Sequence, residues 1–266
     1  MKFDQPLIIA HRGASKSAPE NTFAAFRKAI ADGADGIEFD VRLAKDGVPV
    51  VFHDATLRRL TKIKSRVADL TAEELNKIDV GSWFNRAFPK KAAEEFAAET
   101  VPKFADLLDF LRGYQGLIYV ELKGDASAIP ALAEAVAELI RRNAPTLNIT
   151  VKSFKLEAIK IIKQILPDVR TAALFEPKIL TILRKKKRIL NEAHKCGADE
   201  VSIHYSLATE KFVWRAREND LPIVIWTADN PIWVSRAADY GIRAIITNNP
   251  AKLLAERSEF VSSIKI

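Results

Sequence analysis

The chain has 266 residues, of which 48% are hydrophobic, and carries a formal net charge of +7 at pH 7. This length suits one large α/β barrel or two smaller domains, with ample apolar residues for a core. Apolar runs stay well short of the roughly 20 residues that span a bilayer, so we expect a cytoplasmic protein with neither membrane span nor signal peptide. The single cysteine, Cys196, excludes an intramolecular disulfide and a cysteine metal cluster.

The basic residues favour anionic partners, since 41 Lys and Arg stand against 34 Asp and Glu. The densest basic run, Arg184 to Arg188, falls in a helix predicted over Lys178 to His194. A solvated helix face explains this run better than a nucleic-acid patch, because aromatic residues do not interleave with it. We therefore expect no nucleic-acid partner, while transient contact with a membrane surface and the oligomeric state stay open.

Short β-type runs alternate with helical stretches along nearly the whole chain. The nine candidate strands are Leu7–His11, Gly36–Leu43, Val48–His53, Leu117–Lys123, Asn148–Phe154, Val169–Phe175, Glu200–Tyr205, Pro222–Thr227 and Arg243–Asn248. The third must return antiparallel to the second, because a parallel crossover needs a dozen or more residues. The other eight predict a single (β/α)8 TIM-barrel domain over residues 1–266. A doubly wound open sheet is disfavoured, since no Gly-rich dinucleotide motif follows the first strand.

The second and third strands form a hairpin that carries polar residues. Glu38 and Asp40 stand two residues apart in an apolar run, so both project from one face of the strand. Asp46 and Gly47 suit a two-residue turn, which would place His53 opposite Asp40. A four-residue loop would place His53 opposite Glu38 instead, whereas a three-residue loop with a bulge could break the alignment.

The segment from Ala55 to Pro102 is much longer than an ordinary connection and contains its own helical signal. We interpret it as a small cap-like insertion within the barrel domain. Its aromatic residues Trp83, Phe84 and Phe88 allow two interpretations. They could shape a substrate pocket above the barrel, or they could form the insertion's own small core.

Three acidic residues fall where barrel active sites form, at the C-terminal ends of strands. Glu38, Asp40 and Glu121 together suit a hard divalent cation such as Mg²⁺ or Ca²⁺ better than zinc. Salt bridges alone remain an alternative, but with only Arg12 and Lys123 nearby they would leave a charge imbalance. A guanidinium beside an ammonium also suits a phosphate group.

Two of the four histidines belong to the same strand ends. His11 and His53 could act as general base and general acid on a phosphate, because an unperturbed imidazole titrates near working pH. For His194, on a predicted helix, and His204, at another strand end, an ordinary structural role is the better interpretation.

The polar motifs form an ordered series along the chain. In order, they are His11-Arg12, Pro19-Glu20-Asn21-Thr22, Glu38-x-Asp40, Asp46-Gly47, His53, Glu121-Leu122-Lys123 and Trp226-Thr227. This series resembles the HR, PENT, ExD, DG, H, ExK and WT signature of the glycerophosphodiester phosphodiesterases, over nearly the whole chain. One departure is Asn248, where the family more often has Asp after the threonine.

The resemblance implies a TIM barrel that binds one divalent cation, Mg²⁺ or Ca²⁺. It implies metal ligands Glu38, Asp40 and Glu121, catalytic His11 and His53, and substrate or phosphate contacts from Arg12, Lys123 and Trp226. The implied reaction converts a small-molecule glycerophosphodiester to glycerol 3-phosphate and an alcohol. Attack by the neighbouring glycerol hydroxyl and direct attack by water both stay open. So do a lysophospholipase D-type activity and a non-catalytic phosphodiester-binding barrel.

Overall fold

The computed structural model describes residues 5–144, 146–177 and 185–264. Its strands are β1 (Leu7–His11), β2 (Gly36–Leu43), β3 (Pro49–Val51), β4 (Leu117–Leu122), β5 (Ile149–Ser153), β6 (Arg170–Phe175), β7 (Glu200–His204), β8 (Ile223–Trp226) and β9 (Ala244–Thr247). Its α-helices are α1 (Phe23–Ala31), α2 (Ala72–Leu75), α3 (Ser82–Ala87), α4 (Phe104–Phe110), α5 (Ile129–Asn143), α6 (Leu156–Ile165), α7 (Lys185–Cys196), α8 (Glu210–Arg217), α9 (Ile232–Tyr240) and α10 (Pro250–Ile264).

The helix predicted over Lys178 to His194 is described only from Lys185 onward. Residue 184 and the side chains of 185–187, which make up most of the basic run, lie outside the described part. Among the helices that are described, none combines the length and the apolar character needed to cross a membrane.

Eight parallel strands close into a barrel, because β1 pairs with β2 on one side and with β9 on the other. Helices connect most of these strands, so the predicted (β/α)8 TIM barrel is confirmed. The ninth strand, β3, pairs antiparallel with β2, as the short connection requires.

Strand β2 shows how the barrel sorts its residues. Phe39 packs against Phe26 of α1 and Phe104 of α4, with ring centroids 5.6 and 6.0 Å apart. Since side chains alternate along a strand, the neighbouring Glu38 and Asp40 face the barrel interior. The outer apolar layer thus fixes the strand and directs its carboxylates toward one central point.

The hairpin turn differs from the predicted one. Val41 lies opposite Val51, and the backbone N–H of Ala44 donates to the carbonyl of Val48 over 3.0 Å. The loop is therefore the three residues Lys45–Gly47, and the two-residue turn was wrong. The four-residue loop was wrong as well.

The third loop residue shifts the pairing of β3 with β2 by one position relative to a two-residue turn. Gly47 adopts a φ of +78°, in the left-handed region that favours glycine. Phe52, rather than His53, now lies opposite Asp40 and donates its backbone N–H to the Asp40 carbonyl over 3.0 Å. His53 reaches the site from beyond the end of β3, not through strand pairing.

The aromatic residues of the segment 55–102 pack mainly within the protein. Phe84 has no exposed surface and packs against Phe96 at 5.6 Å, in a cluster that includes Ala24 and Ala25 of α1. Phe88, by contrast, is 39% exposed. For Phe84 this packing favours the small-core interpretation over a pocket lining.

Candidate active site

Glu38, Asp40 and Glu121 converge inside the C-terminal end of the barrel. One oxygen from each carboxylate lies within 4.8 Å of the others, and all three residues are buried. The parallel pairing of β2 and β4 places Asp40 directly beside Glu121. The structure therefore brings together the three carboxylates that the sequence singled out.

Arg12 and Lys123 flank these carboxylates, as expected. Nε of Arg12 lies 3.1 Å from Oδ2 of Asp40, and Nη1 of Arg12 donates to Oε1 of Glu20 over 2.8 Å. Nζ of Lys123 lies 2.6 Å from Oε1 of Glu121 and 3.3 Å from Oδ1 of Asp40. Both cations thus contact Asp40 of the carboxylate cluster.

The loop between β1 and α1 supplies a further contact to the cluster. Asn21 has a φ of +58° and donates from Nδ2 to Oδ2 of Asp40 over 3.0 Å. Thr22 is the N-cap of α1, where its hydroxyl accepts from the backbone N–H of Ala25. The Pro-Glu-Asn-Thr motif therefore caps a helix and holds a site carboxylate at once.

Lys152 is a member of the site that sequence reasoning missed. It lies on β5, and its Nζ is 2.7 Å from Oε1 of Glu38 and 3.5 Å from Oε2 of Glu121. The predicted charge imbalance was therefore wrong, because a third cation stands among the three carboxylates. A lysine within an apolar strand of a barrel was the signal that could have revealed it.

The surrounding cations keep two of the carboxylates ionised. Burial alone would raise the pKa of Asp40, but the charges of Lys123 and Arg12 outweigh it and hold that pKa well below its usual range. Burial likewise opposes ionisation of Glu38, yet the charge of Lys152 lowers its pKa below the ordinary value. Both groups are carboxylates at neutral pH, the form in which they bind cations.

The donor set fits a divalent cation. Oε1 of Glu38, Oδ1 of Asp40 and Oε1 of Glu121 are buried and accept no well-aligned hydrogen bond from the described residues. Each lies within 3.3 Å of a lysine nitrogen, but without hydrogen-bond alignment. Three buried anionic oxygens without aligned donors are hard ligands of the kind that Mg²⁺ and Ca²⁺ take.

His11 is oriented by the residue at which the sequence departs from the family pattern. Asn248 donates from Nδ2 to Asp229 over 2.8 Å, which directs its Oδ1 toward Nδ1 of His11 at 2.7 Å. Because an amide oxygen only accepts, Nδ1 carries the proton, and Nε2 is left as a base 3.9 Å from Oε2 of Glu38. Burial lowers the pKa of His11, which favours this neutral form.

His53 is held in the same way from the other side. Its Nδ1 lies 2.6 Å from Oδ1 of Asp54, so Nδ1 donates, and Nε2 makes no hydrogen bond to any residue that the structure describes. Arg59 holds Asp54 at 2.5 Å and also donates to Glu20 over 2.7 Å. Since Glu20 also contacts Arg12, this series of contacts links His53 to the carboxylate cluster. Asp54 and Arg59 were not identified from sequence.

The remaining aromatic and histidine predictions fall at the rim or elsewhere. Trp226 packs edge-on against Phe154 at 5.4 Å and against His204 at 5.5 Å. Nδ1 of His204 contacts the hydroxyl of Ser206 at 2.8 Å, which agrees with a structural role. His194 is exposed on α7, beside a cavity at the N-terminal end of the barrel.

Comparison with known proteins connects this site to a family. The model of the glycerophosphoryl diester phosphodiesterase family matches residues 11–252. A glycerophosphodiester phosphodiesterase of Caldanaerobacter subterraneus is 31% identical over 250 residues, which cover 93% of this chain and 96% of that protein.

Solved structures show the same fold. A glycerophosphodiester phosphodiesterase from Agrobacterium tumefaciens superposes with a TM-score of 0.75 at 29% identity, covering 94% of this chain and 99% of that one. An Oleispira antarctica phosphodiesterase, solved in complex with the product sn-glycerol-3-phosphate, gives a TM-score of 0.83 at 24% identity. That alignment covers 96% of this chain and 97% of the other.

Proposed function

Because this chain belongs to the glycerophosphoryl diester phosphodiesterase family, we propose that it hydrolyses glycerophosphodiesters to glycerol 3-phosphate and an alcohol. The observation that carries the proposal is the buried cluster of Glu38, Asp40 and Glu121, accompanied by two imidazoles that are each held at Nδ1 by a neighbouring side chain. Such a site combines anionic metal ligands with two groups that can move protons.

The carboxylates of Glu38, Asp40 and Glu121 would hold one divalent cation, Mg²⁺ or Ca²⁺. When bound there, that cation supplies Lewis-acid polarisation of a phosphoryl oxygen. Arg12 and Lys123 bind the nonbridging oxygens of the diester, since both cations already face the cluster. Trp226 lies at the rim and contacts the alcohol part of the substrate.

His11 and His53 divide the proton transfers between them. Nε2 of one neutral ring removes the proton of the nucleophile, and the other ring, which begins as the imidazolium, gives its Nε2 proton to the departing alkoxide. Asn248 and Asp54 each accept from Nδ1, which turns Nε2 of both rings toward the reaction. The nucleophile is the glycerol hydroxyl beside the ester oxygen or a water molecule. A rapid-quench time course separates the two, because only the first yields a cyclic phosphate.

The segment 55–102 stabilises the loops around this site and belongs to the same single barrel domain. Arg59 ties Asp54 to Glu20 on the β1–α1 loop. Glu99 accepts hydrogen bonds from the backbone N–H groups of Phe23 and Ala24 at 3.0 and 2.9 Å, which fixes the start of α1. Both contacts support loops that carry site residues.

Release of glycerol 3-phosphate from glycerophosphocholine, with and without chelator, tests the proposal. We expect turnover that falls on chelation and returns with Mg²⁺ or Ca²⁺. Faster cleavage of a lysophospholipid would indicate a lysophospholipase D-type enzyme instead. Binding of glycerophosphocholine without turnover, at any metal concentration, would indicate a non-catalytic barrel.

A further inference from the structure

Lys152 contacts two of the three carboxylates from inside the barrel wall. The pairing of β4 with β5 places it beside Glu121, and its side chain is only 2% exposed. Its Nζ lies 2.7 Å from Oε1 of Glu38, one of the three oxygens that lack an aligned hydrogen-bond donor. The ammonium therefore occupies space next to an oxygen that a divalent cation would need.

The cluster is balanced by the protein's own charges. Three carboxylates face three cations, namely Arg12, Lys123 and Lys152, all within 3.3 Å of a carboxylate oxygen. Buried charges persist only when they are paired, and here each carboxylate has its counter-ion within the fold. A divalent cation that joins this set brings an excess of positive charge into a buried site.

We propose that Lys152 competes with the divalent cation for Glu38 and Glu121 and thereby weakens the affinity of this chain for metal. The metal ligand distances of about 2.0–2.6 Å leave little room for an ammonium on the same Glu38 oxygen. Coordination of a cation by that oxygen would require Nζ of Lys152 to move away from it. This inference rests on the metal-dependent function proposed above.

Metal binding without substrate tests the inference directly. Isothermal titration calorimetry with Mg²⁺ alone gives the dissociation constants of the wild type and Lys152→Met for Mg²⁺. The decrease in the electron paramagnetic resonance signal of free Mn²⁺ gives their dissociation constants for Mn²⁺. We expect the variant to bind both ions at least tenfold more tightly. The matched control is Lys155→Met, which removes the same charge from an exposed position three residues along and should stay within twofold of the wild type.

Equal or weaker binding by Lys152→Met would overturn the proposal and leave Lys152 as a structural counter-ion only. If the methionine variant does not fold, Lys152→Gln keeps a polar side chain beside Glu38 without the charge, and the same tenfold gain is expected. A wild-type Kd for Mg²⁺ below about 0.1 μM would also overturn the proposal, whichever variant folds, since that value is tighter than the roughly 10⁻⁷–10⁻⁵ M of sensor-type Ca²⁺ sites.

The two proposals fail separately. If Lys152→Met binds Mg²⁺ tightly while the wild type releases no glycerol 3-phosphate, the inference stands and the phosphodiesterase function falls. If the wild type turns over glycerophosphocholine but Lys152→Met shows no gain in affinity, the function stands and the competition by Lys152 is refuted.

Discussion

The two ends of the barrel both bury charged residues, but the pKa values of the buried carboxyl groups shift in opposite directions. At the C-terminal end, three carboxylates face three cations at 2.6 to 3.5 Å. At the N-terminal end, Glu200 stands between Arg170 and Arg243 at 3.5 and 3.6 Å. Burial raises the pKa of Glu200, and burial together with Glu200 raises that of the neighbouring Tyr119 well above its ordinary value.

The difference lies in how closely the cations approach. Short contacts hold the pKa values of Glu38 and Asp40 down, so those oxygens stay anionic and available. Around Glu200 the contacts are longer and desolvation prevails. A cavity of about 550 Å³ opens beside Arg170 and Arg243. Its described lining has neither the cluster of carboxylates nor the pair of imidazoles found at the C-terminal end. Charge arrangement, not cavity size, marks the active end.

Removal of either imidazole should give the largest difference in kcat between variants at the two ends of the barrel. We expect His11→Ala and His53→Ala each to lose at least about 100-fold in kcat, because a positioned proton transfer contributes about 10²–10⁴-fold. Glu200→Gln, at the opposite end, is the matched control and should keep kcat within about threefold of the wild type. Steady-state release of glycerol 3-phosphate measures all three. Near-normal turnover of one histidine variant would exclude that residue from the reaction.

Loss of the carboxylate that orients His53 should have a smaller effect. Asp54→Asn keeps the contact but lets an amide N–H face Nδ1, which favours the other tautomer. We expect kcat to fall by about tenfold, with KM nearly unchanged, since orienting partners typically contribute about 10–100-fold. A KM increase with unchanged kcat would show that Asp54 serves substrate binding instead.

The pH dependence of stability should have opposite signs at the two ends. The folded pKa of Glu200 is raised, so its contribution to stability falls as pH rises from the unfolded value of about 4.5 toward the folded pKa. Burial opposes ionisation of Glu20 too, but Arg59 and Arg12 lower its pKa, so its contribution is present above about 4.5 and lost in acid.

Thermal unfolding of the wild type, Glu200→Gln and Glu20→Gln across pH 3 to 7 measures these contributions. Relative to the wild type, Glu200→Gln should gain stability as pH rises above about 4.5, whereas Glu20→Gln should lose stability as pH rises from 3 toward about 4.5 and change no further above it. Parallel curves for the two variants would contradict the assignment of opposite shifts.

The hairpin turn at the active end should give the smallest effect. Gly47→Val forces a β-branched residue to a φ of +78°, which costs about 1–3 kcal/mol of stability, although a new Cβ meets no atom within 4 Å. Gly113→Val is a matched control, with a φ of +83° and the same open space in the connection before β4. Urea unfolding should show similar losses for both, while only Gly47→Val lowers kcat. Equal kcat values would show that the turn does not position His53.

Local pattern determined much of this protein. Short β-type runs located the strands, the period of two put Glu38 and Asp40 on one face, and the short link before β3 required an antiparallel return. The ordered motifs supplied Arg12, Glu121, Lys123 and the two histidines. These features depend on residues close in sequence, whose geometry follows from the backbone period.

Only the tertiary structure decided the contacts between distant strands. Lys152 and Glu38 are 114 positions apart in the sequence, and Asn248 and His11 are 237 positions apart. These pairs come into contact because closure of the barrel brings the C-terminal ends of its strands around one axis. The hairpin register depended on whether the loop has two or three residues. Asp46-Gly47 suits both kinds of turn, so the sequence left the loop length undetermined. The sequence therefore identified most of the charged residues that the barrel brings together. The closed barrel decided how their charges balance.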